Sequence, residues 1–185
     1  MLGVYIGKKT PEPLANAVRI DFVFHHLRKS VNELQVEMNA QRGPWGTSGY
    51  RIVLEAVALP QSQTFLHLTY AYRVNLAGKL AFNAYLGSVG KDKVGFSMRE
   101  ASEGGTAELV GGVRGLVERN TMRYYLAIDA YLRSLPLAPG LQVESRLQTW
   151  YQQSEHYSRQ LHDVDRAAYL EMKRAEIARQ RSAAE

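Results

Sequence analysis

The chain has 185 residues, of which 45% are hydrophobic and 22% charged, and its net charge at pH 7 is +5. This length fits one compact domain with room for an appendage, and the composition is that of an ordinary globular protein rather than a disordered one. The sequence contains no cysteine, which excludes disulfides, thiolate nucleophiles and cysteine-ligated zinc.

The positive charge is concentrated near the C-terminus. Residues 173–181 carry four basic side chains and one acidic side chain, so we interpret the excess as a solvated basic helix rather than a nucleic-acid-binding surface. No apolar run reaches the roughly 18 residues that a membrane-spanning helix needs, and the first residues lack the pattern of a signal peptide. The sequence therefore predicts a soluble protein, cytoplasmic as written, or periplasmic if an upstream signal segment is missing.

Alternation of apolar and polar residues predicts that the first part of the chain is β-structure. In the third alternating segment, Leu34, Val36 and Met38 alternate with charged or amide side chains. Short connections between successive strands are typical of an antiparallel meander, and the polar alternate positions indicate that one face of the sheet is solvated. We predict strands at residues 3–8, 18–25, 33–40, 50–57 and 66–73, with turns at residues 29–30, 42–49 and 60–63.

After the fifth predicted strand, the spacing of the apolar residues changes from the two-residue period of a strand to that of a helix. Residues 76–88 place apolar side chains at helical spacing before a glycine, which predicts a short helix. A further strand is predicted at residues 93–98. Its hairpin partner is predicted at residues 108–110, after a polar turn that contains glycines.

A long aromatic helix is predicted at residues 112–133. Its wide apolar stripe recurs at three- and four-residue steps and predicts packing against a sheet; the stripe consists of Val113, Val117, Thr121, Tyr124, Ile128 and Tyr131. The polar flanks are assigned to Arg114, Glu118, Arg119, Asp129 and Arg133. Pro136 and Pro139 end the helix. The glycines within residues 111–115 either present N–H groups to an anion or, as we prefer, allow the helix to approach the sheet closely.

The last part of the chain is polar and more basic. Residues 141–161 are rich in polar and aromatic side chains, and residues 163–182 predict a basic helix with a thin apolar stripe and Asp163 as its N-cap. We interpret this region as a helical extension that packs back loosely or serves an interface. The chain then divides into a main domain at residues 1–138 and an extension at residues 139–185.

The sequence shows no motif for catalysis or metal binding. His25 and His26 are adjacent on a strand and therefore point to opposite faces, so they cannot chelate one ion together. No serine occupies a nucleophile elbow, and carboxylates such as Glu37 and Glu55 fall on the solvated face, where acid–base catalysis is disfavoured. Tyrosines on the inner faces suit an amphipathic cavity or an ordinary core equally well. We predict no cofactor and no metal.

Three segments in this order resemble the START-like superfamily, also called helix-grip or SRPBCC, and are similar to uncharacterised bacterial members of it. They are GTSGYRI at residues 46–52, TFLHLTYAY at residues 64–72, and the long helix at residues 111–132. The resemblance covers residues 3–135 and implies an α+β fold in which a curved antiparallel β-sheet grips a long helix. The strand and two short helices that begin the family pattern are missing here, so we expect either an N-terminal truncation of a longer protein or an open grip.

The resemblance implies that a lipid or another hydrophobic small molecule binds in a cavity between sheet and helix. The cavity-lining candidates are Phe22, Val36, Met38, Ile52, Leu54, Leu68, Tyr70, Tyr72, Val117, Thr121, Tyr124 and Ile128. One alternative is a protein–protein interaction module that uses the open sheet face and the C-terminal helices, with a partner at residues 141–185. The other is a cyclase-type enzyme in which Arg114, Asn120 or Tyr124 polarises a carbonyl. We expect no nucleic-acid partner and no transmembrane segment.

Overall fold

The computed structural model describes residues 1–7, 12–88, 92–99 and 106–182. Over these residues the protein is an α+β structure with a five-stranded antiparallel sheet and several helices. The chain forms two compact units, which we call the sheet unit, up to residue 88, and the helical unit, from Asp92 onward. The long helix thus groups with the C-terminal helices, whereas the sequence predicted a division at residue 138.

The sheet unit is a meander of five antiparallel strands in sequence order. Its strands are β1 (Leu2–Ile6), β2 (Val18–Lys29), β3 (Glu33–Arg42), β4 (Thr47–Leu59) and β5 (Gln63–Val74), with a 3-10 turn at Leu14–Asn16 between the first two. The predicted strands and the predicted meander are confirmed, and β2 to β5 extend beyond their predicted ends. The end predicted for the first strand at residue 8 lies outside the described residues.

A glycine in the loop before β4 permits close contact with the start of α1 (Leu76–Leu86). Gly46 has a φ of +73°, and a Cβ atom there would lie 2.2 Å from the side-chain oxygen of Asn75. That oxygen accepts a hydrogen bond from the backbone N–H of Gly78 at 2.8 Å and so caps the helix. The helix predicted at residues 76–88 is therefore confirmed as far as residue 86.

The helical unit begins with a short hairpin and continues with four helices. The hairpin pairs β6 (Met98–Arg99) with β7 (Glu108–Leu109), and the helices are α2 (Gly112–Ser134), α3 (Pro139–His156), α4 (Ser158–Leu161) and α5 (Arg166–Ser182). The hairpin partner predicted at residues 108–110 is confirmed as a strand at Glu108–Leu109, whereas only Met98 of the strand predicted at residues 93–98 lies in β6. Residues 100–105 of the turn lie outside the described residues. None of the helices that the structure describes is long and apolar enough to cross a membrane.

Small side chains allow α2 and α3 to approach each other. Ala130 and Ser134 of α2 are 2% and 0% exposed. Arg146 of α3 donates from Nε to the hydroxyl oxygen of Ser134 at 2.7 Å, and the indole N–H of Trp150 donates to the carbonyl of Arg123 at 3.1 Å. Pro139, predicted only as a helix breaker, also starts α3, where its missing N–H costs nothing.

An aromatic cluster joins α5 to α3. The ring of Tyr169 stacks on Trp150 with centroids 5.1 Å apart and lies 5.4 Å from the ring of Tyr151. Burial raises the pKa of the Tyr169 hydroxyl well above its ordinary value, and Leu161 and Leu170 are also buried. The expectation that the C-terminal region packs back loosely is therefore wrong, because its aromatic residues form a core of their own.

The prediction that Asp163 caps the last helix is wrong. α5 begins at Arg166, and the backbone N–H of Tyr169 donates to the carbonyl of Asp165 at 2.9 Å. The Asp163 carboxylate instead accepts a hydrogen bond from Arg123 at 2.7 Å, with the ammonium of Lys93 3.8 Å away. The carboxylate thus forms a charge-assisted hydrogen bond with one partly buried cation and lies near a second one.

The glycines of residues 111–115 predicted a close approach of the helix to the sheet. Gly115 does permit a close approach, but its nearest neighbours are other residues. A Cβ atom at Gly115 would lie 2.8 Å from the carbonyl oxygen of Val110 and 3.0 Å from the backbone nitrogen of Gly95. The neighbour of this turn of α2 is thus the backbone of the hairpin in the same unit.

We predict that Gly115→Ala lowers the free energy of unfolding by about 1–3 kcal/mol, because the backbone atoms that the new methyl group meets cannot move aside. Gly140→Ala is the matched control, since a Cβ atom at Gly140 would meet nothing within 4 Å. The control should raise stability by about 0.4–1 kcal/mol. Urea unfolding of both variants measures the difference, and equal effects would contradict the close approach.

Candidate functional site

The register of the sheet places all eight sheet candidates on one side, which we call the apolar face. Two rows of paired residues cross β3, β4 and β5 on this face, namely Met38–Ile52–Tyr70 and Val36–Leu54–Leu68. Phe22 and Tyr72 join them through ring contacts with Tyr50, at centroid distances of 6.1 Å and 5.4 Å. Side chains that alternate along each strand are thereby gathered into one continuous surface.

The apolar face is buried at one end and accessible at the other. The buried end has a core of side chains that are 1% to 8% exposed: Ile20, Phe22, Ala40, Tyr50 and Ile52. Leu54 and Leu68 are only half-buried, and Phe24, which pairs with Met38, is 43% exposed. An accessible apolar surface therefore continues directly from a well-packed core.

A cluster of tyrosine rings lies at the buried end of the apolar face. The rings of Tyr50 and Tyr72 stack with an interplanar angle of 18°, and the ring of Tyr70 lies 5.4 Å from that of Tyr72. The hydroxyl oxygens of Tyr50 and Thr47 are 2.6 Å apart. Burial raises the pKa of Tyr50, and the hydrogen bond with Thr47 opposes this only in part. The cluster gives the face a rigid wall with hydroxyl groups at its edge.

His26 is a polar residue on the apolar face that the candidate set did not include. It pairs with Val36 across β2 and β3, and its ring contacts the ring of Phe24 edge-on at 4.8 Å. Its neighbour His25 pairs with Glu37 on the other side, which confirms that the two histidines point to opposite faces. The two-residue alternation that assigned Phe22 to the apolar face also predicts that His26 lies there.

The opposite side of the sheet carries the solvated polar residues that the sequence predicted. The carboxylate of Glu55 accepts hydrogen bonds from Gln35 at 2.8 Å and lies 2.7 Å from the ring nitrogen of His67. Glu37 accepts hydrogen bonds from Asn39 at 2.7 Å and from Arg51 at 2.8 Å. The pKa of Glu37 is lowered, first by the Asn39 hydrogen bond and then by Arg51. The contacts with Asn39 and Arg51 thus favour the ionised form of Glu37.

The four helical candidates lie together on one side of α2. By the period of 3.6 residues per turn, Val117, Thr121, Tyr124 and Ile128 lie opposite the side on which Arg119, Leu126, Ala130 and Ser134 are buried. Tyr124 is 40% exposed, and Thr121 donates its hydroxyl to the carbonyl of Val117 at 3.0 Å. The helix thus has a small-residue side that contacts α3 and a second, bulky apolar side.

Arg119 was assigned to a polar flank of α2, and this prediction is wrong. Its side chain is 2% exposed, and its guanidinium donates to the carbonyl of Val94 at 3.3 Å. Beside it, Glu118 accepts the backbone N–H groups of Phe96 and Ser97 at 2.8 Å and 2.9 Å. These two charged residues attach the segment before β6 to the helix, a role that periodicity alone could not reveal.

The arrangement gives little support to carbonyl activation by α2. The guanidinium of Arg114 bonds to Glu118 on the same helix at 3.1 Å, and the Arg114 side chain is 68% exposed. Asn120 is half-buried and Tyr124 is exposed. Over residues 1–7, 12–88, 92–99 and 106–182, no three His, Asp or Glu side chains are grouped to hold a metal ion.

No family model, no curated protein and no solved structure matches the chain. The resemblance to the START-like superfamily therefore stays a prediction. Function is inferred from the geometry of each unit.

Glu118 predicts a specific pH dependence of stability. Burial would raise its pKa, but the hydrogen bonds from the backbone of Ser97 and Phe96 and from Arg114 outweigh it and lower the pKa below 4.5. A depressed folded-state pKa stabilises the fold above the unfolded-state pKa, and this stabilisation is lost as the pH falls from about 4.5 through the folded-state value. We therefore expect Glu118→Gln to be less stable at neutral pH and to lose less stability on acidification than the wild type.

The measurement is urea unfolding between neutral and acidic pH. Glu108→Gln is the control, because it removes a carboxylate of the same unit that is 67% exposed, and it should keep the wild-type pH profile. If Glu118→Gln and Glu108→Gln gave the same profile, the contacts of Glu118 would not hold it ionised.

Proposed function

We propose that the apolar face of the sheet unit binds a lipid or another hydrophobic small molecule. The observation that carries the proposal is the half-buried surface of Leu54 and Leu68 beside a fully packed aromatic core. Contiguous apolar surface on a folded protein marks a place where a ligand or partner removes it from water. Each fully buried leucine side chain contributes about 1.5–3 kcal/mol, so a ligand that covers both gains substantial affinity.

The polar atoms at the edge of this surface favour an amphipathic ligand. His26 lies on the apolar face beside Phe24 on β2, and Tyr70 and Tyr72 lie on β5, the last strand of the same sheet. A few polar groups around a mainly apolar wall are typical of small-molecule sites, where they orient the ligand. A molecule with an apolar body and one hydroxyl or carbonyl group has the matching chemistry.

The helix-grip resemblance supplies the finer part of the proposal, which is that α2 covers the bound ligand. Its predicted cavity-lining residues Val117, Thr121, Tyr124 and Ile128 lie opposite the side on which Ala130 and Ser134 are buried. A helix that uses small residues on one side and aromatic residues on the other is suited to pack on two layers at once.

We predict that the wild-type chain binds a lipid-like fluorescent probe saturably and that Leu68→Gln weakens this binding by about tenfold or more. His67→Gln is the matched control, because the neighbouring side chain points to the opposite face. It should leave probe binding unchanged, since the His67 side chain is exposed and its hydrogen bond with Glu55 lies on the other face of the sheet. Fluorescence titration gives the dissociation constants, and urea unfolding confirms that both variants fold.

Equal affinities of Leu68→Gln and His67→Gln would show that the probe does not use the apolar face. Absence of saturable binding, together with self-association in light scattering that Leu68→Gln abolishes, would favour the protein–protein interaction module instead.

The position of α2 can be tested with pairs of spin labels, because the chain has no native cysteine. If α2 covers the apolar face, labels at Leu68→Cys and Tyr124→Cys should give a short, narrow distance distribution consistent with layers about 10 Å apart. The control pair, Thr69→Cys with Tyr124→Cys, places the first label on the opposite face and should give a longer distance. Indistinguishable distributions for the two pairs would contradict the helix-grip arrangement.

A further inference from the structure

A groove lies between α3 and α5 within the helical unit. Its volume is about 420 Å³, within the range of small-molecule sites. Its walls combine three aliphatic side chains with three polar ones, two of them guanidinium groups: Val143, Leu147, Ile177, Arg146, Gln180 and Arg181. The groove therefore joins an apolar floor to a concentrated positive charge.

The charge of Arg146 has only neutral neighbours among the residues that the structure describes. Its guanidinium donates to the hydroxyl oxygen of Ser134 at 2.7 Å and to the side-chain oxygen of Gln142 at 2.7 Å. It also lies over the ring of Tyr131, 4.3 Å from the ring centre. The side chain is half-buried, so solvent screens its charge less than that of an exposed arginine. These contacts orient the guanidinium without neutralising it.

Arg181 adds a second charge at the same groove. It lies in the last turn of α5, and within residues 1–7, 12–88, 92–99 and 106–182 no hydrogen bond, ion pair or ring contact engages its side chain. Two guanidinium groups at one groove repel each other, and an anion between them would relieve the repulsion while gaining charge-assisted hydrogen bonds.

Arg174 of α5 differs in this respect. Arg174 of α5 bonds to Glu144 of α3 at 2.5 Å, and this pair, first through the hydrogen bond from Arg174, lowers the pKa of Glu144 to about 2. A carboxylate thus compensates the positive charge where α3 and α5 meet at Arg174. At the groove, by contrast, neither Arg146 nor Arg181 has a carboxylate partner among the residues that the structure describes.

We propose that this groove binds a single-chain amphiphile with an anionic head group, such as a medium-chain fatty carboxylate. The alkyl chain lies on Val143, Leu147 and Ile177, and the carboxylate accepts hydrogen bonds from Arg146 and Arg181. This site belongs to the helical unit, and its ligand class differs from the largely neutral ligand proposed for the sheet unit.

The test compares octanoate with 1-octanol on the full-length chain, by calorimetry and by amide chemical shifts of the isotope-labelled protein. Octanoate should bind at least about tenfold more tightly than 1-octanol, because the alcohol lacks the charge. The amide chemical-shift changes caused by octanoate should fall on residues 143–147 and 177–181. Arg146→Gln and Arg181→Gln should each weaken octanoate binding about tenfold and leave 1-octanol binding unchanged.

Arg179→Gln is the matched control, since it removes the same charge from α5 at a residue that does not line the groove, and it should bind octanoate like the wild type. Arg181→Gln keeps the test decisive if Arg146→Gln fails to fold. Leu68→Gln should not change octanoate binding, which separates this site from the apolar face. Equal binding of octanoate and 1-octanol, equal effects of Arg179→Gln and Arg181→Gln, or shifts confined to the strands would each overturn the proposal.

Discussion

The rest of the sheet unit depends on two-residue alternation along its long strands, which register shifts between His26 and Arg28 and between Ser48 and Arg51 interrupt only locally. Alternation separates an apolar face from a polar face only if the register is fixed, because a slip of one residue would exchange them. Both faces fix it here: the Ile52–Tyr70 pair belongs to the apolar side, and the hydrogen bond between Gln35 and Glu55 belongs to the polar side. A slipped register would bury Glu55 without a partner, at a cost of several kcal/mol.

The helix α2 likewise has two sides of different composition, which follow from the helical period. Ala130 and Ser134 leave room for α3, and Arg146 reaches the buried hydroxyl oxygen of Ser134. Bulky side chains at these two positions would hold the helices apart, so the aromatic residues, Tyr124 among them, lie on the other side. Most of the apolar stripe that the sequence displays is therefore not the side that contacts α3; its last member, Tyr131, meets Arg146 of α3. Hydrophobicity alone did not identify the helix contact, because small and polar residues form it.

Periodicity predicted most of the elements and the composition of both sheet faces, because those depend on local spacing. It did not predict the positions of Arg119, Asp163 or Arg146. Each of these side chains is placed by a partner distant in sequence: the carbonyl of Val94 for Arg119, Arg123 for Asp163, and Ser134 for Arg146. A charged residue is assigned to solvent by default from sequence, and only the tertiary structure shows which charges are buried and paired.

Charge compensation distinguishes the two candidate ligand surfaces more sharply than their shape does. On the sheet unit, the carboxylates Glu37 and Glu55 lie on the opposite side of the sheet with Arg51 and His67 beside them, so the proposed binding to the apolar face would depend on area and contour. At the groove between α3 and α5, the guanidinium of Arg146 has neutral neighbours. The proposed recognition there would depend on charge. Added salt should weaken it, whereas binding to the apolar face should be unaffected or strengthened by salts that favour burial.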